Sequence, residues 1–272
     1  MKHIVSPIAV VFVVGLFAAS APAPKKWLVE VKDGLFASKY EVSNFEYREF
    51  VQAMGANASQ YEPDSACWHL RGKHLDPVAS AYFSHPAFHQ YPVVGITHEQ
   101  ANAYCAWLTQ VYREAHPSGP KMVFRLPTEE EWILAAKGGN DKAIIPWDGK
   151  KVERFVYSDL QQKNLSFKFN IKYADPLYIE YDAESKSFLD KGSTDYAKDG
   201  YMITSPVKSF PPTALGLYNL GGNVAEMIAE PGKAKGGSWD EYPYAMRLDQ
   251  TSSYPDLSPS VGFRVFAEVV TE

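Results

Sequence analysis

Between Gly216 and Glu226 the chain reads G-L-Y-N-L-G-G-N-V-A-E, a string rich in oxygen donors. Amide and carboxylate oxygens, joined by backbone carbonyls in a loop that Gly221 and Gly222 let bend tightly, are the hard ligands that Ca²⁺ takes. The competing reading is a glycine turn followed by a solvated glutamate. His85 and His89 stand four residues apart, the spacing of two metal ligands on one helix face. Pro86 follows His85 directly and disfavours a helix through both, so a histidine metal centre is not expected. Thiol chemistry has Cys67 and Cys105 to draw on, and no cysteine follows them in the rest of the chain. Arg125 and Arg264 sit beside apolar residues, which suits buried guanidinium groups paired with carboxylates or carbonyls better than substrate clamps. Glu131 is a candidate partner for Arg125.

The elements that must position these residues announce themselves unevenly. Trp27 to Tyr40 reads as two short strands joined by a two-residue hairpin at Asp33-Gly34. Ser43 with Glu46 forms a capping box, and Phe45, Phe50, Val51 and Met54 recur at helical spacing, predicting a helix from about Asn44 to Met54 that Gly55 ends. Thr97 with Gln100 repeats the device. Ala101, Tyr104, Cys105, Leu108, Val111 and Tyr112 then follow one helix face to about Glu114, with Pro117 and Gly119 beyond. Thr128 with Glu131 opens a third, short helix holding Trp132, Leu134 and Ala135 and stopping at Gly138-Gly139. The stretch up to Tyr91 has no clear period and reads as ordered loop. Beyond Asn140 short strands and long loops are expected, with the acidic span Asp182 to Asp199 as a surface insertion.

At 272 residues, 46% of them hydrophobic, a single domain with a sizeable core is the better expectation. Residues 1–21 have the three-part build of a secretory signal peptide, with Lys2 and His3, an apolar run from Ile8 to Ala19, and small residues at Ala18 to Ala21. Cleavage near Ser20 or Ala21 leaves 22–272 as the exported domain, placed in the periplasm, at the cell surface or outside the cell. The apolar run is about a dozen residues where a spanning helix needs about 20, so no transmembrane segment is expected after cleavage. A formal net charge of −5 makes nucleic acid a poor partner. In an exported protein Cys67 and Cys105 permit one disulfide. The apolar helix pattern around Cys105 favours the other reading, a small buried hydrophobe.

The ordered series Y-P-V-V-G (Tyr91 to Gly95), A-Y-C-A-W (Ala103 to Trp107), R-L-P-T-E-E-E-W (Arg125 to Trp132), the Gly216–Glu226 string, K-G-G-S-W (Lys235 to Trp239) and G-F-R (Gly262 to Arg264) resembles the formylglycine-generating enzyme, or sulfatase-modifying factor, family. The resemblance runs from about Phe36 to Phe266. It implies a compact α+β fold related to C-type lectins, with little regular secondary structure for its size. The stretch Tyr82 to Gly95 looks most like a branch that includes gliding-motility lipoproteins, which use the scaffold for assembly.

In active members of that family two cysteines after G-G-S-W bind Cu(I), and the resemblance lays Glu241 and Met246 on those positions. A carboxylate is a hard ligand and a thioether does not deprotonate, so a bis-thiolate copper site is not expected and no catalytic residue is assigned. The family's calcium motif N-x-x-G-N-V-x-E is matched by Asn219, Gly222, Val224 and Glu226, implying a structural calcium ion. A second calcium site of the family lies after Pro146-Trp147, where Asn164 and the carbonyl of Leu165 are weaker candidates. Tyr242, Tyr244 and Tyr254 fall where the family's substrate groove is lined, and packing explains them equally well.

The expectation is therefore an exported, calcium-stabilised, catalytically silent family member that binds or assembles with an envelope protein or glycan. Two alternatives stand beside it. One is a formylglycine-generating oxidoreductase acting on a cysteine of a sulfatase-like substrate; the other is a C-type-lectin-like glycan binder.

Overall fold

The computed structural model describes residues 27–71, 75–146, 169–171, 201–255 and 257–270, with the backbone of four short strands between 173 and 195. The signal-peptide segment lies outside the described residues. The first half carries β1 (Leu28–Lys32), β2 (Leu35–Ser38), α1 (Asn44–Ala53), α2 (Asp76–Ala81), α3 (His98–Ala115), β3 (Met122–Arg125) and α4 (Glu129–Lys137). The short strands β4 (Tyr173–Ala174), β5 (Ile179–Asp182), β6 (Ser187–Asp190) and β7 (Thr194–Asp195) follow. The chain ends with β8 (Ala225–Met227), β9 (Lys233–Lys235), β10 (Ser252–Ser253), β11 (Val261–Gly262) and β12 (Phe266–Val269).

The Asp33-Gly34 hairpin forms as its sequence requires, with Gly34 at φ +73°. Its second strand pairs with β12, and β12 pairs in turn with β3, giving an antiparallel sheet in the order β1-β2-β12-β3. The C-terminal strand is thus inserted between the start and the middle of the chain. A second sheet runs β10-β9-β8-β11, in which β11 and β8 are parallel. Its strands are two or three residues long, so side-chain bonds rather than backbone ladders must hold it.

All three capping boxes are present, at Ser43/Glu46, Thr97/Gln100 and Thr128/Glu131. Gly138 closes α4 in the left-handed conformation at φ +56°, which glycine adopts without strain. Helices α1 and α3 contribute Tyr47, Phe50 and Tyr104 to a core cluster shared with strands of both sheets, where their rings and that of Phe263, just after β11, meet mostly edge to face. Helix α4 buries Trp132 against Leu217, Leu220 and Phe266 in a second cluster. A third gathers Trp68, Tyr82 and Trp239.

The region up to Tyr91 departs from the loop expectation, because it contains 3-10 turns at Gly55–Gln60, Ser65–Arg71 and Pro86–Phe88 as well as α2. A six-residue helix with Pro77 in its first turn and no side-chain cap is too short to leave a period in the sequence. Cys67 and Cys105 are free, buried and in different clusters, so they form no disulfide. Of the acidic span, β6 and β7 are paired with β5 and β4; the remainder lies outside the described residues. Among the described residues no helix is long and apolar enough to cross a membrane.

Candidate functional site

The Gly216–Glu226 string folds into an irregular loop feeding β8, and its shape depends on four left-handed residues, the first of them Gly216 at φ +88°. Asn219 stands at φ +53°, Gly222 at +76° and Asn223 at +61°. Asparagine tolerates that conformation because its short amide bonds locally. Here both amides bond to one group: Asn219 Nδ2 donates to Glu41 Oε2 at 3.0 Å and Asn223 Nδ2 donates to Glu41 Oε1 at 2.8 Å. Asn223 Oδ1 accepts from Ser205 N at 2.7 Å and from Asn170 Nδ2 at 3.4 Å. One buried asparagine therefore ties three separated segments together.

Glu226, 1% exposed, meets Arg264, 0% exposed. Arg264 Nε donates to Oε1 and Oε2 at 2.9 and 3.1 Å, and Nη2 donates to Oε1 at 2.7 Å. Trp132 Nε1 adds a bond to Oε2 at 2.8 Å. The rest of the guanidinium reaches Ser38 O at 2.7 Å and Tyr218 O at 2.6 Å. Both carboxylate oxygens are satisfied by N–H donors, which is what makes a buried charge pair tolerable. Asn219 Oδ1, by contrast, is buried with no hydrogen-bond partner. It is an acceptor of the kind a hard cation takes. Val224 turns its side chain into the third cluster, so its backbone alone is free to serve such an ion.

Glu41 is held up to about pKa 8, first by burial and then by the nearby Glu226 charge, against the pull of Arg264 and the two asparagine amides. The sign follows from linkage: a carboxyl that binds its proton more tightly when folded loses stability as pH rises from its unfolded value toward 8. With chelator present, unfolding free energy is expected to fall from pH 5 to pH 8 and to flatten above. Glu41→Gln removes that slope. Urea unfolding at five pH values checks this, and equal slopes in the two proteins would refute the assignment.

Glu241 and Met246 lie in different surroundings. Glu241 accepts from Ser238 Oγ at 3.0 Å and from Ser252 Oγ at 3.1 Å. Met246 is 0% exposed and packs with Ile145, Ile171 and Phe169. The two side chains share none of these partners. Tyr244 stacks with Arg247 and Tyr254 packs on the first core cluster. Asn164 and Leu165 lie outside the described residues.

Arg125 does pair with Glu131, through two bonds of 2.6 and 2.7 Å, and with Glu268 at 3.1 Å. Its side chain is 30% exposed, so burial holds for Arg264 and not for Arg125. His85 accepts from Ala87 N at the start of the 3-10 turn and His89 ends that turn, so no helix runs through both. Among the described residues no three of His, Cys, Asp and Glu gather as a metal cluster. The residues that sequence reading missed are Glu41, Asn223, Ser205 and Asn170. A signal existed at Glu41, a charge set between Tyr40 and Val42 immediately before a helix cap.

Residues 9–269 match a family described as sulfatase-modifying factor enzyme 1-like domain. Over 228 residues the chain is 27% identical to a formylglycine-generating enzyme of Bos taurus, with 73% of this chain and 49% of that protein covered. It is 30% identical over 213 residues to an inactive C-alpha-formylglycine-generating enzyme 2 of Bos taurus, covering 72% and 55%. The chain thus spans about half the length of the curated relatives it matches. Among solved structures, variable protein 1 of Treponema denticola superposes with a TM-score of 0.50 at 19% identity, over 86% of this chain and 84% of that one. That likeness concerns the fold, and it agrees with the α+β architecture above.

Proposed function

The chain belongs to the sulfatase-modifying factor enzyme 1-like family, and from that premise we propose that it is an exported, calcium-braced member serving as a binding or assembly module of the bacterial envelope. The observation that carries this reading is the chemistry at Glu241 and Met246, where the family resemblance expects two thiols. Cu(I) is held by soft sulfur donors. Glu241 offers hard oxygens already bonded to two serine hydroxyls, and Met246 offers one thioether packed among apolar side chains. Cys67 and Cys105 do not replace the pair, since burial raises both thiols and they sit in separate clusters. Incubation of the mature protein with Cu(I), oxygen and a cysteine peptide of a sulfatase is expected to give no oxygen uptake above background. Conversion of that cysteine to an aldehyde, read by mass spectrometry, would falsify the proposal and restore the oxidoreductase alternative.

Calcium fits the other half of the site. Asn219 supplies an unpartnered buried amide oxygen, the carbonyls of Gly222 and Val224 are candidate neighbours, and Glu226 contributes charge. Glu41 keeps its proton up to about pH 8 when no ion is present, so a cation bound beside it would displace that proton. When bound, the ion would brace loops and take no part in chemistry. At a hundredfold excess over its dissociation constant, calcium is expected to add about 2.7 kcal/mol, a rise in Tm of roughly 5–10 °C for a domain of this size. Chelator reverses it and Asn219→Ala abolishes it. An unchanged melting curve would remove calcium from the reading while leaving the assembly role intact.

Residues 1–21 support export, and amino-terminal sequencing of the secreted form is expected to begin near residue 22. An immobilised mature protein is expected to retain an envelope protein or glycan. Retention of glycans alone, lost on chelation, would favour the lectin-like alternative.

A further inference from the structure

A cavity of about 140 Å³ lies between α3, the start of α1 and the end of β2, with Trp27, Tyr104, Leu108, Val111, Tyr112 and Val265 as its apolar wall. Contacts made elsewhere fix its shape. Trp27 stacks on Phe124 with ring centroids 5.6 Å apart, Tyr112 meets the same ring at 5.3 Å, and His116 stacks on Tyr112 at 4.4 Å. An engineered cavity of about 150 Å³ with apolar walls stays dry and takes up benzene, so this space suits a single ring better than water.

The polar side of the wall is short of donors. His116 Nδ1 donates to Tyr112 O at 3.1 Å, which leaves Nε2 of the neutral ring as an acceptor. Ser38 Oγ donates to Tyr40 O at 2.7 Å. Glu46 Oε2 accepts from Ser43 N and Ser43 Oγ at 2.9 and 2.7 Å, and Oε1 has no hydrogen-bond partner among the described residues. Glu46 is exposed and His116 half-buried, so both keep surface that a ligand can reach. Glu41 lines the cavity too, with its carboxylate oxygens already taken by Asn219 and Asn223. Among the described residues no lysine or arginine lines it. Acceptors and a carboxylate, with no cation beside them, select against an acid and for an ammonium.

We infer that this cavity binds a primary amine carried on a short arm from one aromatic ring. The ring takes the apolar wall, where Trp27, Tyr104 and Tyr112 offer edge-to-face and offset partners. The ammonium pairs with Glu46 Oε1. The inference rests neither on calcium nor on the fate of the Glu241 locus.

Titration of the mature protein with 2-phenylethylamine, 2-phenylethanol and 3-phenylpropionate, followed by backbone amide chemical shifts at pH 7, tests it. The amine is expected to bind, with shifts at residues 38–46 and 104–116. The alcohol is expected to bind about fivefold more weakly, the upper end for one exposed ion pair, and the acid not at all. Glu46→Gln keeps the capping box, since glutamine serves there as well. It is expected to bring the amine down to the affinity of the alcohol and to leave the alcohol unchanged. Ala115→Phe, which fills the cavity from α3 without touching Glu46, is expected to weaken amine and alcohol together. Binding of the acid as tight as that of the amine, an amine preference that survives Glu46→Gln, full binding by Ala115→Phe, or no shifts within those two segments would each overturn the inference.

Discussion

Arg264→Met is expected to destabilise the protein by about 3–5 kcal/mol, the range found when one partner of a buried ion pair is removed. The substitution leaves the Glu226 carboxylate buried beside a thioether and strips donors from Ser38 O and Tyr218 O. Three parts of the chain lose their common anchor: the end of β2, the Tyr218–Glu226 loop and the G-F-R segment. A typical domain is stable by about 5–15 kcal/mol, so the variant sits near the threshold of folding. Urea unfolding at pH 7 gives the number. The double variant Glu226→Gln/Arg264→Met is expected to recover part of the loss, because removing both charges is less costly than stranding one. A single variant within 1 kcal/mol of the parent would show that the guanidinium does not hold these loops.

Gly222→Ala is expected to rank next. Gly222 lies at φ +76°, and an added Cβ would fall 2.2 Å from Asn170 O and 3.0 Å from the same carbonyl carbon. The left-handed backbone costs roughly 1–2 kcal/mol for alanine, and overpacking against a fixed backbone adds about 1–3 kcal/mol. Gly216→Ala separates the two contributions, since Gly216 has φ +88° and open space around its Cβ position. Its loss should match the conformational part alone. Equal losses at the two positions would mean that the Asn170 segment moves aside, and that the loop is less tightly clasped than its contacts imply.

Helix starts were legible because a capping box is a local device: Ser43/Glu46, Thr97/Gln100 and Thr128/Glu131 satisfy orphan backbone groups within four residues of each other. The hairpin at Asp33-Gly34 was legible for the same reason. Helix α2 was not, since one and a half turns carry no periodic signal. The site shows the same division. Asn219, Gly222 and Glu226 could be picked out as a string, and the pairing of Arg125 with Glu131 lay within reach of a six-residue separation. Glu226 with Arg264 could not be paired from spacing, nor Glu41 with Asn219 and Asn223, whose partners lie 178 and 182 residues away.

The sequence by itself determined the three capped helices and the first hairpin, because residue type and near-neighbour spacing are enough for each, whereas the α+β fold and the expected absence of a thiol pair at Glu241 and Met246 came through the family resemblance. Tertiary structure alone decided that β12 inserts between β2 and β3, that Glu41 is a buried acid, and that the two cysteines stay apart. These outcomes depend on which distant groups share a desolvated space. Burial is what makes an unmatched charge costly and a matched one decisive, and no window of sequence records it.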